Sequence, residues 1–228
     1  MPVFELRAED FSFPSPHLAD PTGLLAVGGD LSPERILEAY RLGIFPWFSE
    51  NDPLLWWSPD PRLVLFPDRL RVSRSLRQKM KKGIFRITFD HAFHEVIRGA
   101  ADVHRKRDGG TWITSEMIRA YTELHRMGYA HSVESWMGGE LVGGLYGVSL
   151  GSAFFGESMF TTVSDASKVA FVTLVDWLRE RQFTLIDCQV STEHLHRFGA
   201  EEIPRTVFLR LLETALGNPT LRGRWSLA

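Results

Sequence analysis

Apolar and polar positions give the chain two textures. Up to residue 62 no helical or strand period is sustained: turn residues punctuate 14–29, Gly28-Gly29-Asp30 reads as a loop, and four prolines between Ile44 and Arg62 forbid a long helix. One helix interrupts this texture, with Ser32 as cap, Pro33 at the first helical position and Gly43 as the stop. From Leu63 the periods sharpen. A short strand is predicted at 63–66, a helix at 73–82 ended by Gly83, a strand at 85–89, and a helix capped by Asp90 and running to about Ala101. His104 to Gly110 reads as a charged loop, and Thr114 or Ser115 caps a helix ending near Gly128. Segments 131–136, 141–149 and 153–160, joined by glycine turns, predict a three-stranded antiparallel meander. A helix over 165–181, a strand over 184–190, and helices over 192–198 and 206–216 follow, with an irregular tail from Gly217.

Composition narrows the class. Hydrophobic residues at 44% and charged residues at 24% describe a globular chain of one large or two small domains. No apolar run approaches the roughly 18 residues of a membrane span, and the acidic, mostly polar start does not read as a secretory signal. A single cysteine, Cys188, forms no internal disulfide, which fits a reducing cytoplasmic location. Its place in an apolar strand without an adjacent base reads as an inert thiol. The net charge of -2 argues against general nucleic-acid binding, yet the stretch from Arg69 to Arg86 carries Arg74, Arg77, Lys79, Lys81 and Lys82 among its cations and no acid. Such a stripe is either a solvated helix face or a phosphate-binding ridge. His91/His94 and His194/His196 lack metal-ligand spacing, so no metal is expected.

Two strands carry candidate chemistry. Phe154-Phe155-Gly156-Glu157-Ser158-Met159-Phe160 sets one carboxylate in an aromatic strand end. Burial would raise the pKa of Glu157, and hydrogen-bond donors or a cation would hold it ionised. In Leu185-Ile186-Asp187-Cys188-Gln189-Val190 the strand period places Asp187 and Gln189 on one face, where both need partners. A structural hydrogen-bond cluster would explain them; so would a site that binds an ammonium group and manages a proton during aminolysis. Meander, helix, strand and helix is also the element order of the N-acyltransferase (GNAT-like) core, in which the acyl donor lies where strands splay apart.

Several stretches together resemble the bacterial leucyl/phenylalanyl-tRNA–protein transferases: Gly23-Leu-Leu-Ala-Val-Gly-Gly-Asp-Leu31, Gly43-Ile-Phe-Pro-Trp-Phe-Ser49, Leu55-Trp-Trp-Ser-Pro-Asp-Pro-Arg62, Gly110-Thr-Trp-Ile-Thr114, Phe155-Gly-Glu-Ser-Met-Phe160 and Leu185-Ile-Asp-Cys-Gln189. The resemblance implies an α+β chain, with a small N-terminal α/β domain over 1–62 and a GNAT-like (acyl-CoA N-acyltransferase-like) catalytic domain over 63–228 built on a mixed, largely antiparallel sheet. It implies a monomeric, cytoplasmic, cofactor-free enzyme that moves Leu or Phe, and less well Met, from charged tRNA to an N-terminal Arg or Lys of acceptor proteins, marking them for degradation. Asp187, Gln189 and Glu157 match the catalytic set. Trp47, Trp112, Leu145, Phe154, Phe171, Leu174, Leu178 and Ile186 match the aminoacyl/adenosine pocket. Arg74, Arg77, Lys79, Lys81 and Lys82 match the tRNA-binding surface. An acetyl-CoA-dependent N-acetyltransferase is the first rival, but the stretch where its phosphate loop should lie, Thr161 to Ser167, holds no glycine. A non-catalytic RNA-binding module is the second rival, and it leaves Glu157, Asp187 and Gln189 unexplained.

Overall fold

The computed structural model describes residues 3–7, 9–108 and 110–227, with backbone alone at 104, 107 and 108. In chain order the main elements are β1 (Phe4–Leu6), β2 (Leu24–Gly28), α1 (Pro33–Arg41), β3 (Phe45–Pro46), β4 (Leu55–Trp57), β5 (Arg62–Leu65), α2 (Arg74–Lys81), β6 (Arg86–Phe89), α3 (Phe93–Asp108) and α4 (Ser115–Arg126). Then come β7 (Ala130–Met137), β8 (Glu140–Leu150), β9 (Ala153–Thr161), α5 (Ala166–Glu180), β10 (Leu185–Gln189), α6 (Glu193–Arg197), β11 (Glu201–Ile203) and α7 (Arg205–Leu216). Among the described residues the strands form two mixed sheets, a small one in the order β1-β2-β4-β3 and a seven-stranded one in the order β11-β5-β10-β9-β8-β7-β6. The large sheet is antiparallel throughout except for the parallel pair β9 and β10.

Both faces of the large sheet are covered, which is why β8 reads as an almost continuous apolar run. Alternate residues serve opposite cores. Tyr146, Val148, Phe155 and Leu185 join a cluster with α1, α3, α4 and α7. Leu145, Phe154 and Ile186 join a second cluster with α2, α5 and the loop around Phe198.

The meander, α2, α4, α5, α6 and α7 lie where the periods predicted. Thr114, Ser73 and Thr192 each accept a hydrogen bond from a backbone N–H of the first helical turn. Three expectations need correction. The small sheet was not expected, because its strands of two to five residues are too short to show a period, and Gly28, read as loop, ends β2. The run read as a charged loop from His104 continues α3 to Asp108; Lys and Arg are good helix formers, and the charge masked that propensity. Asp90 does not cap α3. Its backbone turns left-handed (φ 52°), and its carboxylate instead accepts from the backbone N–H groups of Ser132 (2.9 Å) and Trp225 (2.7 Å) and from His131 Nδ1 (2.8 Å). That ties the C-terminal tail to the sheet.

Candidate active site

The β9–β10 ladder ends at Phe155 opposite Asp187. Just there, each strand carries one extra residue relative to its other neighbour. Tyr146 and Gly147 of β8 face Ser158 and Gly156, which leaves Glu157 as the extra residue of a bulge. On β10, Asp187 and Gln189 face Val64 and Leu63 of β5, which leaves Cys188 as the extra residue, and Gln189 takes φ 62°. Bulges redirect side chains and break the two-residue alternation. The shared face expected for Asp187 and Gln189 is therefore lost: Cys188 and Gln189 line a cavity, whereas Asp187 turns away into the core. Gly147 is required opposite the β9 bulge, since a Cβ there would lie 2.2 Å from the Phe155 carbonyl oxygen and 2.5 Å from the Phe154 ring.

The cavity has a volume of about 480 Å³ and lies between Phe45, Pro46 and Trp47 on one side and the parting strands on the other. Of the pocket residues expected from sequence, Trp47, Trp112, Leu145, Phe154, Phe171, Leu174 and Ile186 line it. Leu178 is fully buried in the core that backs α5 and is not part of the lining. Trp47 is exposed and forms the rim, held edge-on to Trp57, whose indole N–H donates to the Trp47 carbonyl (2.6 Å).

At the polar end stands Glu157. Tyr40 donates to its Oε1 (2.6 Å), Tyr121 contacts Oε2 (3.0 Å), and Gln189 Nε2 donates to Oε1 (2.9 Å). Burial pushes the carboxyl up from 4.5 to about 7, against the lowering effect of these three donors. Burial, reinforced by the Glu157 charge, raises the phenols of Tyr40, Tyr121 and Tyr146 well above their usual range, so all three stay protonated. The oxygens of Tyr40 and Tyr121 are also 2.5 Å apart. With Glu157 ionised, two phenol protons serve three oxygen–oxygen contacts. A proton on Oε2 fills the third and closes a ring in which Glu157 donates to Tyr121, Tyr121 to Tyr40 and Tyr40 back to Oε1. The cluster is thus built to take up one proton.

Asp187 is wholly buried and paired with Arg62, which donates from Nε (2.8 Å) and Nη2 (2.7 Å). The Arg62 guanidinium is sandwiched between the rings of Phe45 (4.8 Å) and Phe208 (4.6 Å). Asp187 Oδ1 also accepts from the backbone N–H of Gln189 (2.9 Å), which fixes the bulge that aims Gln189 at Glu157. The three sequence candidates therefore form one linked chain, in which Asp187 reaches the cavity through Gln189. Tyr40, Tyr121, Tyr146 and Arg62 escaped sequence reasoning. They come from four separate elements, and nothing in their local patterns distinguishes them from core residues.

Cys188 lines the cavity, and burial raises its thiol pKa, so it stays a thiol. His194, at the mouth, is held toward its neutral form by burial and by Lys168 and Arg197. On α2 and its C-cap, Arg74, Arg77, Lys81 and Lys82 are exposed, while Lys79 is engaged by Asp165, which also accepts from Lys168 (2.6 Å). The helix packs through Leu76 and Met80 against the cluster containing α5, the element that supplies Phe171 and Leu174 to the cavity.

Among solved structures, "The structure of L-PGS from Bacillus licheniformis" shares 10% identity with the chain, with a TM-score of 0.43 over 86% of this chain and 72% of that one, a likeness too weak to argue from. Sequence comparison is decisive. The family model for leucyl/phenylalanyl-tRNA protein transferase matches residues 64–213, and the model of that family's N-terminal domain matches 29–60. The leucyl/phenylalanyl-tRNA–protein transferase of Anaeromyxobacter sp. (strain K) is 61% identical over 227 residues, spanning 100% of this chain and 97% of that one. Its counterpart from Syntrophobacter fumaroxidans is 63% identical over 212 residues, spanning 93% and 90%. The chain belongs to the leucyl/phenylalanyl-tRNA protein transferase family, a family of aminoacyltransferases.

Proposed function

We propose that the protein transfers Leu or Phe, and less well Met, from charged tRNA to the N-terminal Arg or Lys of acceptor proteins in the cytoplasm, marking them for degradation. The observation that carries this reading is a proton-accepting carboxylate at the polar end of an otherwise apolar, aromatic-rimmed cavity. An aminoacyl ester is already activated, so the protein need only position it, accept a proton and stabilise the oxyanion. The apolar slot between α5 and the β-strands holds the donor side chain, and Trp47 and Trp112 flank the terminal adenosine. The acceptor α-amine attacks the ester carbonyl and passes its proton to Glu157, which shares it with Tyr40 and Tyr121. The amide bond forms, the ester C–O bond breaks, and the proton leaves on the ribose hydroxyl of the tRNA. Gln189 orients Glu157, and Asp187, fixed by Arg62, sets the position of Gln189. The exposed cations of α2 seat the tRNA stem.

The antiparallel meander followed by α5 and by a strand parallel to β9 supports a GNAT-like catalytic domain over 63–228, with 1–62 as the N-terminal domain. The test is transfer of labelled leucine from leucyl-tRNA to a peptide with N-terminal Arg, beside the same peptide with acetyl-CoA. Transfer from tRNA alone is expected. Acetylation without aminoacyl transfer would replace this reading with the acetyltransferase.

A further inference from the structure

Three tyrosines surround Glu157, and two of them are spoken for. Tyr40 and Tyr121 bind the carboxylate and each other. Tyr146 is fully buried and part of the cavity wall, yet its hydroxyl has no hydrogen-bond partner among the described residues. An unpaired buried hydroxyl is costly, and replacing it by a ring of the same shape without the oxygen is expected to be neutral or stabilising. Packing does not need the oxygen: the ring is held edge-on by Phe93 and Tyr121, neither of which accepts from it. Its neighbourhood does suit a ligand. Tyr146 precedes the point where β8 slips against the Glu157 bulge, so it stands beside the reacting end of the cavity, and Glu157 is the charged group whose field reaches it.

The demand of the substrate matches this spare donor. An aminoacyl ester brings an amine, which donates, and a carbonyl, which only accepts. Glu157 answers the amine. The carbonyl gathers negative charge when the acceptor attacks and needs a donor that stays protonated; one of the two Gln189 Nε2 hydrogens is already committed to Glu157, whereas the Tyr146 hydroxyl has no partner among the described residues. We propose that the Tyr146 hydroxyl donates to the oxyanion that forms on the carbonyl oxygen of the bound aminoacyl ester and so stabilises the tetrahedral intermediate. This rests on the transferase reading above.

The experiment compares the full-length protein with Tyr146→Phe, using saturating leucyl-tRNA and an Arg-ended peptide. Loss of one oxyanion donor predicts a kcat lower by about 10²–10³-fold with KM for leucyl-tRNA within about twofold, while the melting temperature stays equal or rises. A second readout is binding of two probes by both proteins. A tetrahedral phosphonate mimic of leucyl-adenosine should bind the variant at least about tenfold more weakly, whereas the planar leucyl amide of 3′-amino-adenosine should lose less than about twofold. If Tyr146→Phe keeps the wild-type kcat, or weakens both probes equally, the assignment is overturned and the transferase reading stands. If wild-type protein transfers nothing from charged tRNA, the transferase reading itself fails and takes this assignment with it. If Tyr146→Phe melts lower, the probe pair in the folded variant decides between donor and packing roles.

Discussion

Substituting Glu157 by Gln removes the ionisable group while keeping its shape and its ability to meet Tyr40, Tyr121 and Gln189. In the wild-type protein burial raises the folded-state pKa from 4.5 to about 7, a difference of about 3 kcal/mol at 1.36 kcal/mol per pH unit. The sign follows from proton counting. Between 4.5 and about 7 the folded protein holds a proton that the unfolded chain has released. Stability contributed by Glu157 is therefore fully present below the unfolded value and is lost as pH rises through about 7. Glu157→Gln has no such loss. Measured by urea unfolding, the stability of the variant relative to wild type should climb by about 2–3 kcal/mol from pH 5 to pH 8. Single-turnover transfer gives the complementary reading. Wild-type rates should rise with pH and level off above about 7, once the base is ionised. The variant should lose that limb and run about 10²–10⁴-fold slower. A stability difference that stays flat across this range would refute the raised carboxyl. A variant that transfers at the wild-type rate would refute its role as base.

Arg62→Ala leaves Asp187 as a buried, unpaired carboxylate and should cost about 3–5 kcal/mol in a melting or urea titration; Asp187→Asn in the same background should recover part of that loss. Neutralising Arg74, Arg77, Lys81 and Lys82 together should weaken tRNA binding and flatten its salt dependence by up to about 0.9 for each phosphate no longer neutralised, read by filter binding at several salt concentrations. Lys79→Ala should act mainly on stability, since its ammonium is already engaged by Asp165. Gly147→Ala should destabilise by at least about 1–3 kcal/mol, because the new methyl meets the Phe155 carbonyl and the Phe154 ring at the bulge. Thermal unfolding checks it, and a wild-type melting curve would show that the bulge tolerates a side chain.

Local signals carried much of the fold into the sequence. Thr114 announced its helix because capping is a contact between near neighbours. The glycine turns at 138–139 and 151 fixed the meander for the same reason. Glu157 was visible because a carboxylate in an aromatic strand contradicts its surroundings. Ser32 shows the limit of such signals: it stands at the cap position of α1, but its hydroxyl turns to Asp30 instead of the helix.

What the chain alone could not disclose is where the site residues point. The two bulges depend on hydrogen-bond register with β8 and β5, partners distant in sequence, and a slip of one residue reverses every side chain beyond it. Only that register sends Gln189 and Glu157 into the cavity and Asp187 onto Arg62. The pKa of Glu157 is likewise a tertiary property, set by burial and by Tyr40 from α1, Tyr121 from α4 and Gln189 from β10. Sequence determined which groups the protein owns and which elements carry them. Folding decided which groups meet, because desolvation and hydrogen bonding act through space and not along the chain.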